Sequence, residues 1–538
     1  MPDLIIDNAN LPLGEDVSSL WSIEITDGLI SSVTTMADRE SSSAPSLDAA
    51  GSSVLPAFGD SHIHVPESGV EILRCDMSDC ISRSDVLETI GRYSAANPHR
   101  EWIIGRGWAL PYFTDVPATL EELDRVTGPR PAYLSNRDGH SAWVNSAALA
   151  LAGVGEHTPD PAGGRIEHDA DGKLTGLLHE SAMQLVSDLI PPLSAHDLHA
   201  GLLAAQERLF SLGVTSWQDA IVGPFVPTTD VFDLYRSAEE SGELRARVTG
   251  ALWWPREYDG DTLATLIGLR DSLDPAGRFR ASAIKIMYDG VCATLTASVS
   301  DPYLAEEGGT GLAFFERDAL APHVVQMDAA GFDLHFHVIG DQAVTDSLSL
   351  VRGAQQVNPA RDRRHQLAHV WLVDDPAIAG MRELGVIANI QPFWAQRDSQ
   401  MVDLTLPVLS ERLRSLQFRF RTMVDAGIPL AVGSDWPVSS PNPMDGVHVA
   451  VNRAHPGDLG DGALDSTQAL TLREALFAAT AGSARALRRD DELGTIAVRK
   501  AADLVVLDEN LTELDPAALS GVRPTQTLID GDIVFHAN

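Results

Sequence analysis

Lysine is the charged residue that this sequence uses least. Of the 39 basic residues, only Lys173, Lys285 and Lys500 are lysine, and the rest are arginine. Arginine keeps its charge at ordinary pH, whereas a lysine amine can lose its proton and react when it is buried. A lysine inside an apolar segment of this chain therefore invites a chemical explanation. Lys285 lies in such a segment, Ala283–Gly290.

Positive charge is also scarce. The 76 acidic residues outnumber the basic ones, and the formal net charge is −37. A surface of this sign repels phosphate backbones and anionic lipid headgroups, so we expect no nucleic-acid partner and no membrane partner. The acidic residues are spread along the chain without long blocks, which indicates a solvated surface and is compatible with a salt-rich habitat.

Cysteine, targeting signals and long apolar runs are lacking as well. Cys75, Cys80 and Cys292 are odd in number and lack the spacing of a metal site, which favours a reducing compartment without structural disulfides. The N-terminal residues show no basic region followed by an apolar one. No run approaches the roughly eighteen apolar residues of a membrane span. We therefore expect a cytoplasmic protein, with a homodimer as the default assembly.

The two ends of the chain share one pattern. Residues 1–54 and 486–538 alternate short apolar runs with Gly, Asn and Asp turns, which is typical of small antiparallel sheets. Neither end has enough strands to form a core by itself. The pattern predicts one small β-sandwich that is built from both termini.

Between these ends, apolar strand-like runs alternate with helical patterns, as in parallel β/α proteins. Eight candidate strands are centred near His62, Val214, Thr249, Ile284, Phe336, Leu367, Ile387 and Ala431. Eight such units predict an α/β fold, a TIM-like (β/α)8 barrel, over residues 55–485. The long gap after the first strand predicts an inserted subdomain at about 70–195. An open doubly wound sheet is the alternative, but no Gly-x-Gly-x-x-Gly phosphate turn supports it.

Polar residues cluster where the barrel strands are predicted to end. His62 and His64 lie two residues apart on the first strand, so both imidazoles point to the same side. Either histidine taken singly could equally be a core residue. The polar residues on later strands are Lys285 on the fourth, His335 and His337 on the fifth, His365 and His369 on the sixth, and Asp435 on the eighth. Their joint occurrence at strand ends, where barrel active sites lie, indicates a metal site.

The chemistry of these residue types is consistent with that site. Several imidazoles and a carboxylate bind zinc or a similar divalent ion. A buried lysine can react with carbon dioxide to give a carbamate, which replaces a costly cation by an anionic ligand that can bridge two metals. Water bound at such a centre loses its proton near neutral pH, and Asp435 can pass a proton to a leaving nitrogen.

Several motifs resemble those of the amidohydrolase superfamily, in the branch that includes N-substituted formamide deformylases. They are Leu55–His64, Asp138–Asn145, Ile284–Gly290, His337–Asp341, His369, Gly433–Val438 and Ala501–Leu507. The resemblance runs nearly end to end and is specific for the family, but much less so for a substrate. It implies a metal-dependent hydrolase in which metal-activated hydroxide cleaves a C–N bond of a small amide-like molecule. An N-substituted formamide or another amide with an apolar substituent is the expected substrate.

Carried over by position, the resemblance implies two divalent metal ions, zinc by preference. The implied ligands are His62 and His64 for the first ion, His337 and His369 for the second, carbamylated Lys285 as the bridge, and Asp435. Asp435 would also be the catalytic proton shuttle. Two departures weaken the transfer of a substrate. Ala368 stands where the branch usually has glutamate, and Val291–Ala297 lacks the arginine that is common there.

Seven further residues are candidate substrate contacts. They are His140, Trp108, Asp289, Cys292, Trp371, Trp394 and Trp436. His140, in the predicted insertion, could hold a substrate oxygen or could stabilise a turn. The last three tryptophans follow the sixth, seventh and eighth strands and favour an apolar substituent on the substrate. Cys292 is interpreted as a small pocket-lining residue, because no base is paired with it in the sequence.

Other functions on the same scaffold stay open. The barrel could hydrolyse a cyclic amide, a carbamate or an ester, or it could act as a deaminase with a single metal. A non-catalytic barrel relative is the alternative from a different class, although such proteins typically lose metal ligands and this chain keeps a complete set.

Overall fold

The computed structural model describes residues 2–77, 80–113, 118–136, 141–226, 229–304, 308–398, 400–457 and 462–537. The chain forms two compact units. The larger unit comprises Met1–Val65 and Gln206–Asn538, and the smaller unit is Pro66–Ala205. The smaller unit follows the first barrel strand, where the sequence predicts an insertion at about 70–195.

The N-terminal part of the larger unit is a four-stranded sheet. Its strands are β1 (Leu4–Asn10), β2 (Leu20–Thr26), β3 (Leu29–Thr35) and β4 (Ser46–Asp48), in the order β3-β2-β1-β4. The first three strands pair antiparallel as predicted, but β4 pairs parallel with β1. Residues 36–45 cause this difference, because they carry the chain from one edge of the sheet to the other before β4 begins. Two more strands follow, β5 (Val54–Pro56) and β6 (Phe58–Ile63), and they belong to other sheets.

The smaller unit has a six-stranded mixed sheet. Its strands are β7 (Cys75–Asp76), β8 (Ile103–Trp108), β9 (Ala132–Asn136), β10 (Ser141–Val144), β11 (Gly164–His168) and β12 (Leu174–Glu180), in the order β11-β12-β10-β9-β8-β7. Trp108, Phe113 and Trp143 lie in its core, and the Phe113 ring contacts both tryptophans edge to face. Because each large ring contributes several kcal/mol when it is buried, a small unit of this kind can form its own core.

The barrel contains β6 and seven further strands. They are β13 (Val214–Val222), β14 (Arg247–Trp253), β15 (Phe279–Met287), β16 (Asp333–Val338), β17 (Gln366–His369), β18 (Ile387–Ile390) and β19 (Leu430–Val432). The eight strands follow one another in sequence order and pair parallel. β6 and β19 approach each other, since the Ser61 hydroxyl donates to the Val432 carbonyl at 2.8 Å. The predicted (β/α)8 barrel is confirmed.

Helices connect the strands in the order that a parallel barrel requires. The α-helices among the described residues are α1 (Val65–Ile72), α2 (Arg83–Ala96), α3 (Leu120–Thr127), α4 (Ser146–Ala152), α5 (Gln184–Ser187), α6 (Ala195–Ser211), α7 (Phe232–Glu240), α8 (Thr262–Asp271), α9 (Arg317–Ala329), α10 (Asp341–Val357), α11 (Asp375–Leu384), α12 (Glu411–Arg414), α13 (Phe420–Asp425), α14 (Pro443–Asn452), α15 (Leu472–Phe477) and α16 (Ser483–Ala486). Local signals set their ends: Asp374 caps the start of α11 and Gly385, with φ +67°, ends it. Within the described residues, no helix has the length and apolar character that a membrane crossing needs.

The C-terminal segment completes a second sheet. Its strands are β20 (Leu504–Leu507), β21 (Pro524–Ile529) and β22 (Asp532–His536). Together with β5 they form an antiparallel sheet in the order β22-β21-β20-β5, in which β20 pairs with β5. Ile6 and Ile23 from the N-terminal sheet pack in one buried cluster with Val54, Leu504 and Leu528 from this sheet. The two termini therefore build one β-sandwich, as the sequence predicts.

Candidate metal centre

The barrel brings the predicted metal ligands to one end of its strands. His62 lies near the end of β6, Lys285 in β15, His337 in β16 and His369 at the end of β17, while Asp435 follows β19. Because all eight strands are parallel, their carboxyl ends meet at the same face of the barrel. The strand register places the predicted ligands at similar levels along the barrel axis, because His337 pairs with Met287 and His369 pairs with Val338.

His62, His64 and Asp435 form the first group of predicted ligands. One ligand atom from each lies within 4.8 Å of those from the other two. The Asp435 Oδ1 atom is 3.0 Å from His64 Nε2 and 3.5 Å from His62 Nε2. Two imidazoles and a carboxylate at these distances can share one divalent ion.

Lys285 lies beside this group. Its Nζ atom is 3.1 Å from His62 Nε2, and the residue is 3% exposed. Burial lowers the pKa of Lys285 to about 7, because a charged ammonium is poorly solvated in the barrel interior. A large fraction of the amine is thus neutral near pH 7. Only the neutral amine can add to carbon dioxide, so the environment of Lys285 suits carbamate formation.

His337 and His369 form the second group. Their ring centroids are 4.4 Å apart, and the His369 ring is 4.8 Å from that of His62. Burial holds the pKa of His369 well below its usual value, so the ring is neutral as a metal ligand must be. His369 Nδ1 lies 2.9 Å from Gln391 Oε1, whereas His369 Nε2 is buried without a hydrogen-bond partner. A buried imidazole nitrogen that lacks a hydrogen-bond partner and lies close to His337 and His62 fits a metal ion well.

The backbone is strained where the ligands leave their strands. His369, Val370 and Asp435 have φ values of +77°, +34° and +55°, which non-glycine residues rarely adopt. Such conformations cost about 1–3 kcal/mol each and persist only where the surroundings enforce them. The Asp435 backbone is held in this conformation by a hydrogen bond from its N–H to the His62 carbonyl, at 2.7 Å. Strain at two ligands is typical of a functional site.

Gly433 lets the last barrel strand approach the first one. A Cβ atom on Gly433 would lie 2.6 Å from His62 Cβ and 2.8 Å from His62 N. No side chain can therefore replace the glycine without moving His62. Asp60 strengthens the same junction by accepting hydrogen bonds from the backbone N–H groups of His62 and Ser434, at 3.1 and 3.0 Å.

Aromatic side chains line the His369 side of the centre. Trp394 stacks on His369 with an interplanar angle of 8° and a centroid distance of 5.1 Å. The ring centroids of Trp371 and Trp394 are 5.9 Å apart, and Trp371 stacks on Phe418. Trp436 is half-buried, and its carbonyl accepts a hydrogen bond from His64 N at 3.0 Å. Trp371 and Trp436 thus follow strands that end in or lead to predicted ligands, and Trp394 stacks on one of these ligands. Contact of the three with a substrate stays a prediction.

Asp289 is fully buried behind His337. Its oxygens accept hydrogen bonds from the N–H groups of Ser298, Ile339 and Gly340, and Oδ1 lies 3.3 Å from His337 Nδ1. These contacts orient His337, as carboxylates commonly do for imidazole ligands. A direct contact of Asp289 with a substrate stays a prediction.

The remaining candidate contacts are in different surroundings. Cys292 is completely buried, and burial raises the pKa of its thiol to about 12, so it is not a nucleophile. Trp108 lies in the core of the smaller unit, where its indole N–H donates to the Leu134 carbonyl at 2.7 Å. His140 lies outside the described residues. Substrate contacts by these three residues stay predictions.

Two histidines on the predicted strands have other partners. His335 Nε2 lies 2.8 Å from His62 Nδ1, so His335 supports a ligand. His365 precedes β17, accepts a hydrogen bond from Leu334 N, and lies 3.5 Å from Asp328, away from the strand ends that carry the ligands. Sequence reasoning missed Gln391, the partner of His369. Its spacing of two from Asn389 was the available signal, because extended chain at the end of the seventh strand points both side chains to the same side.

Comparison with known proteins agrees with this geometry. A family model described as the amidohydrolase family matches residues 46–535. The N-substituted formamide deformylase of Arthrobacter pascens is 26% identical over 554 residues, covering 100% of this chain and 99% of that protein. The YtcJ protein of Bacillus subtilis is 28% identical over 488 residues, covering 90% and 89%. The crystal structure of an uncharacterized metal-dependent hydrolase from Pyrococcus furiosus shares the fold, with a TM-score of 0.71, 23% identity and 96% and 99% coverage.

Proposed function

Because the chain belongs to the amidohydrolase family, we propose that it is a metal-dependent hydrolase that cleaves the C–N bond of an amide-like substrate. The observation that carries the proposal is the convergence of six donor residues at one end of the barrel. They are His62, His64, Lys285, His337, His369 and Asp435. Hydrolases use such donor sets to hold metal ions that activate water.

This donor set would suit two zinc ions, with carbamylated Lys285 as the residue that could bridge them. The neutral Lys285 amine would form an N–C bond with carbon dioxide and release one proton, which leaves an anionic oxygen ligand where the protonated lysine would be a buried cation. His62 and His64 would hold one ion, while His337 and His369 would hold the other. When bound, the ions act as Lewis acids and lower the pKa of water.

Asp435 is the residue placed to move protons. Its carboxylate lies 3.0 Å from His64 Nε2 and 3.5 Å from His62 Nε2. It takes a proton from the attacking water and delivers it to the departing nitrogen, so that the amine leaves in neutral form. The same carboxylate thus acts first as base and then as acid.

An apolar or aromatic substituent on the amide nitrogen suits the tryptophans beside His369. Trp394 and Trp371 form a broad apolar surface there, and Trp436 follows the last barrel strand. An N-substituted formamide is the substrate class to test first, since one relative is named for that activity. A strong preference for small charged amides over aryl or alkyl ones would refute this part.

A one-metal enzyme is the second candidate. It is favoured by the tight grouping of His62, His64 and Asp435, whose ligand atoms lie within 4.8 Å of one another. In that case the scaffold would suit deamination or hydrolysis of a cyclic amide.

The deciding experiment is the metal content of protein purified without chelators, compared with Lys285→Ala. Lys173→Ala, at an exposed lysine of the smaller unit, is the matched control. A metal content of about two ions per chain that falls sharply in Lys285→Ala but not in Lys173→Ala supports the bridged pair. One ion that the substitution does not affect supports the one-metal candidate. A folded protein that binds no metal even after reconstitution refutes the proposal.

A further inference from the structure

Four amide side chains form a continuous hydrogen-bonded row inside the barrel. They are Gln218 in β13, Gln366 in β17, Asn389 in β18 and Gln391 just after β18, and each is at most 1% exposed. This amide row has no part in the proposed function. Four buried amides without charge are costly unless every polar atom is paired in a defined direction.

Two main-chain carbonyls set the direction of the row. Asn389 Nδ2 donates to the Ser61 carbonyl at 2.8 Å, and Gln366 Nε2 donates to the Ala486 carbonyl at 2.9 Å. A carbonyl oxygen can only accept, so each of these amides must turn its NH2 group toward it. Asn389 Nδ2 also donates to Gln366 Oε1 at 2.9 Å, which joins the two amides in the same sense.

At one end, the row determines which nitrogen of His369 carries the proton. Gln391 Nε2 donates to Asn389 Oδ1 at 3.1 Å, so Gln391 Oε1 faces His369 Nδ1 at 2.9 Å. Because that oxygen only accepts, His369 Nδ1 must be the protonated nitrogen. The lone pair of the neutral ring is then on Nε2, the buried nitrogen without a hydrogen-bond partner.

At the other end, the row reaches the first group of ligands. Gln366 Nε2 donates to Gln218 Oε1 at 3.0 Å, and Gln218 Nε2 contacts His335 Nδ1. His335 Nδ1 is therefore an acceptor, and its Nε2 donates to His62 Nδ1 at 2.8 Å. In the metal-free protein the proton of a neutral His62 then lies on Nε2, toward Lys285. At this end the row therefore fixes the metal-free tautomer of His62 and not a metal-binding one.

We propose that the amide row is a positioning device for the metal centre. It holds His369 in the tautomer that can bind a metal, and it links His369 to the His335–His62 pair through neutral groups alone. This inference rests on the metal centre of the proposed function. Partners of metal-binding histidines typically change metal affinity about 10–100-fold when they are removed, so the row has a measurable effect.

The test compares the zinc affinity of three full-length variants by competition with a chelator. Gln391→Met keeps the size of the side chain and removes the acceptor for His369. Gln391→Glu restores an acceptor. Gln396→Met is the matched control, because Gln396 is buried in the same loop and donates to the Phe393 carbonyl instead.

We expect Gln391→Met to bind one zinc ion about 10–100-fold more weakly than wild type, with Gln391→Glu closer to wild type and Gln396→Met unchanged. If the row had only a structural role, the zinc affinities of the variants would follow their thermal stabilities instead. Equal zinc affinity of Gln391→Met and Gln396→Met, with zinc bound by wild type, overturns this inference alone. A wild-type protein that binds no zinc overturns the proposed function as well.

A second measurement needs no metal. In zinc-free protein labelled with 15N-histidine, the His369 resonances are identified by their loss in His369→Gln. Protonation at Nδ1 in wild type, lost or shared with Nε2 in Gln391→Met, supports the amide row. Protonation at Nε2 of His369 in the wild-type protein overturns it, whether or not the protein binds zinc.

Discussion

The Lys285→Met variant should be more stable than the wild-type protein once metal has been removed. Lys285 is 3% exposed, and burial lowers its pKa from 10.5 in the unfolded chain to about 7. Folding near neutral pH therefore requires the lysine to release its proton or to keep a poorly solvated charge. Methionine has a similar length and no charge, so it avoids this cost and fills the same space.

The size of the gain follows from the two pKa values. With about 7 in the folded protein and 10.5 in the unfolded chain, the buried lysine costs about 5 kcal/mol at pH 5, about 4 kcal/mol at pH 7 and about 2 kcal/mol at pH 9. Between the two pKa values the unfolded chain binds more protons, so wild-type stability rises with pH relative to the variant. The advantage of methionine is therefore largest in acid and shrinks as the pH rises.

The assay is urea unfolding of both proteins in the presence of a chelator, at several pH values between about 6 and 9. Metal content is measured in parallel on untreated protein, where Lys285→Met should lose metal. Stability and metal content then change in opposite directions, which a purely structural lysine would not produce. Lys173→Met, at an exposed position, should change neither.

A loss of stability in Lys285→Met would refute this reasoning. It would mean that Lys285 is charged in the metal-free protein and paired with a carboxylate, with Asp435, whose charge favours the protonated lysine, as the candidate. Breaking such a buried pair costs about 3–5 kcal/mol, because the remaining charge is left without a partner.

Three further substitutions test other parts of the centre. Asp435→Asn should lower kcat on N-aryl formamides by about 10²–10⁴-fold; metal content measured alongside separates lost proton transfer from lost metal. Trp394→Ala should raise KM about two- to tenfold for aryl amides, since an aromatic pair contributes about 0.5–1.5 kcal/mol; an equal change for N-methyl substrates would contradict the stacking role. Gly433→Ala should destabilise the protein by about 1–3 kcal/mol and reduce its metal content, because the new Cβ lies 2.6 Å from His62 Cβ. Thermal unfolding checks this against Gly353→Ala, whose Cβ would meet no atom within 4 Å.

The barrel could be predicted from the sequence because its strands are buried on both faces. Such strands appear as short apolar runs, and a histidine, lysine or aspartate in them is conspicuous. Lys285 lies in such a run and Asp435 directly follows one, and the structure has a strand at each of the eight predicted places. The parallel pairing of β4 with β1 could not be predicted, because it depends on the path of the connection after β3.

The hydrogen-bond partners of the predicted ligands were harder to identify from the sequence than the candidate ligands themselves. Gln218, Gln366 and Asn389 lie on three different strands, and only the closed barrel brings their amides into contact. A glutamine in an apolar run is compatible with many roles, so its residue type points to no particular chemistry. The stacking of Trp394 on His369 likewise depends on the fold of the turn after β18.

The parallel rings of Trp394 and His369 give the protein an optical reporter. The Trp394 centroid is 5.1 Å from that of His369. If His369 binds a metal as proposed, this separation lies well within the range at which a paramagnetic ion quenches fluorescence. Cobalt(II) bound to His369 would quench the fluorescence of Trp394, whereas zinc, with its filled d shell, would not. Trp371, at 5.9 Å from Trp394, would transfer its excitation to the same ring. The difference between the emission of the wild-type protein and that of Trp394→Phe would then follow occupancy of this position directly, without any added dye.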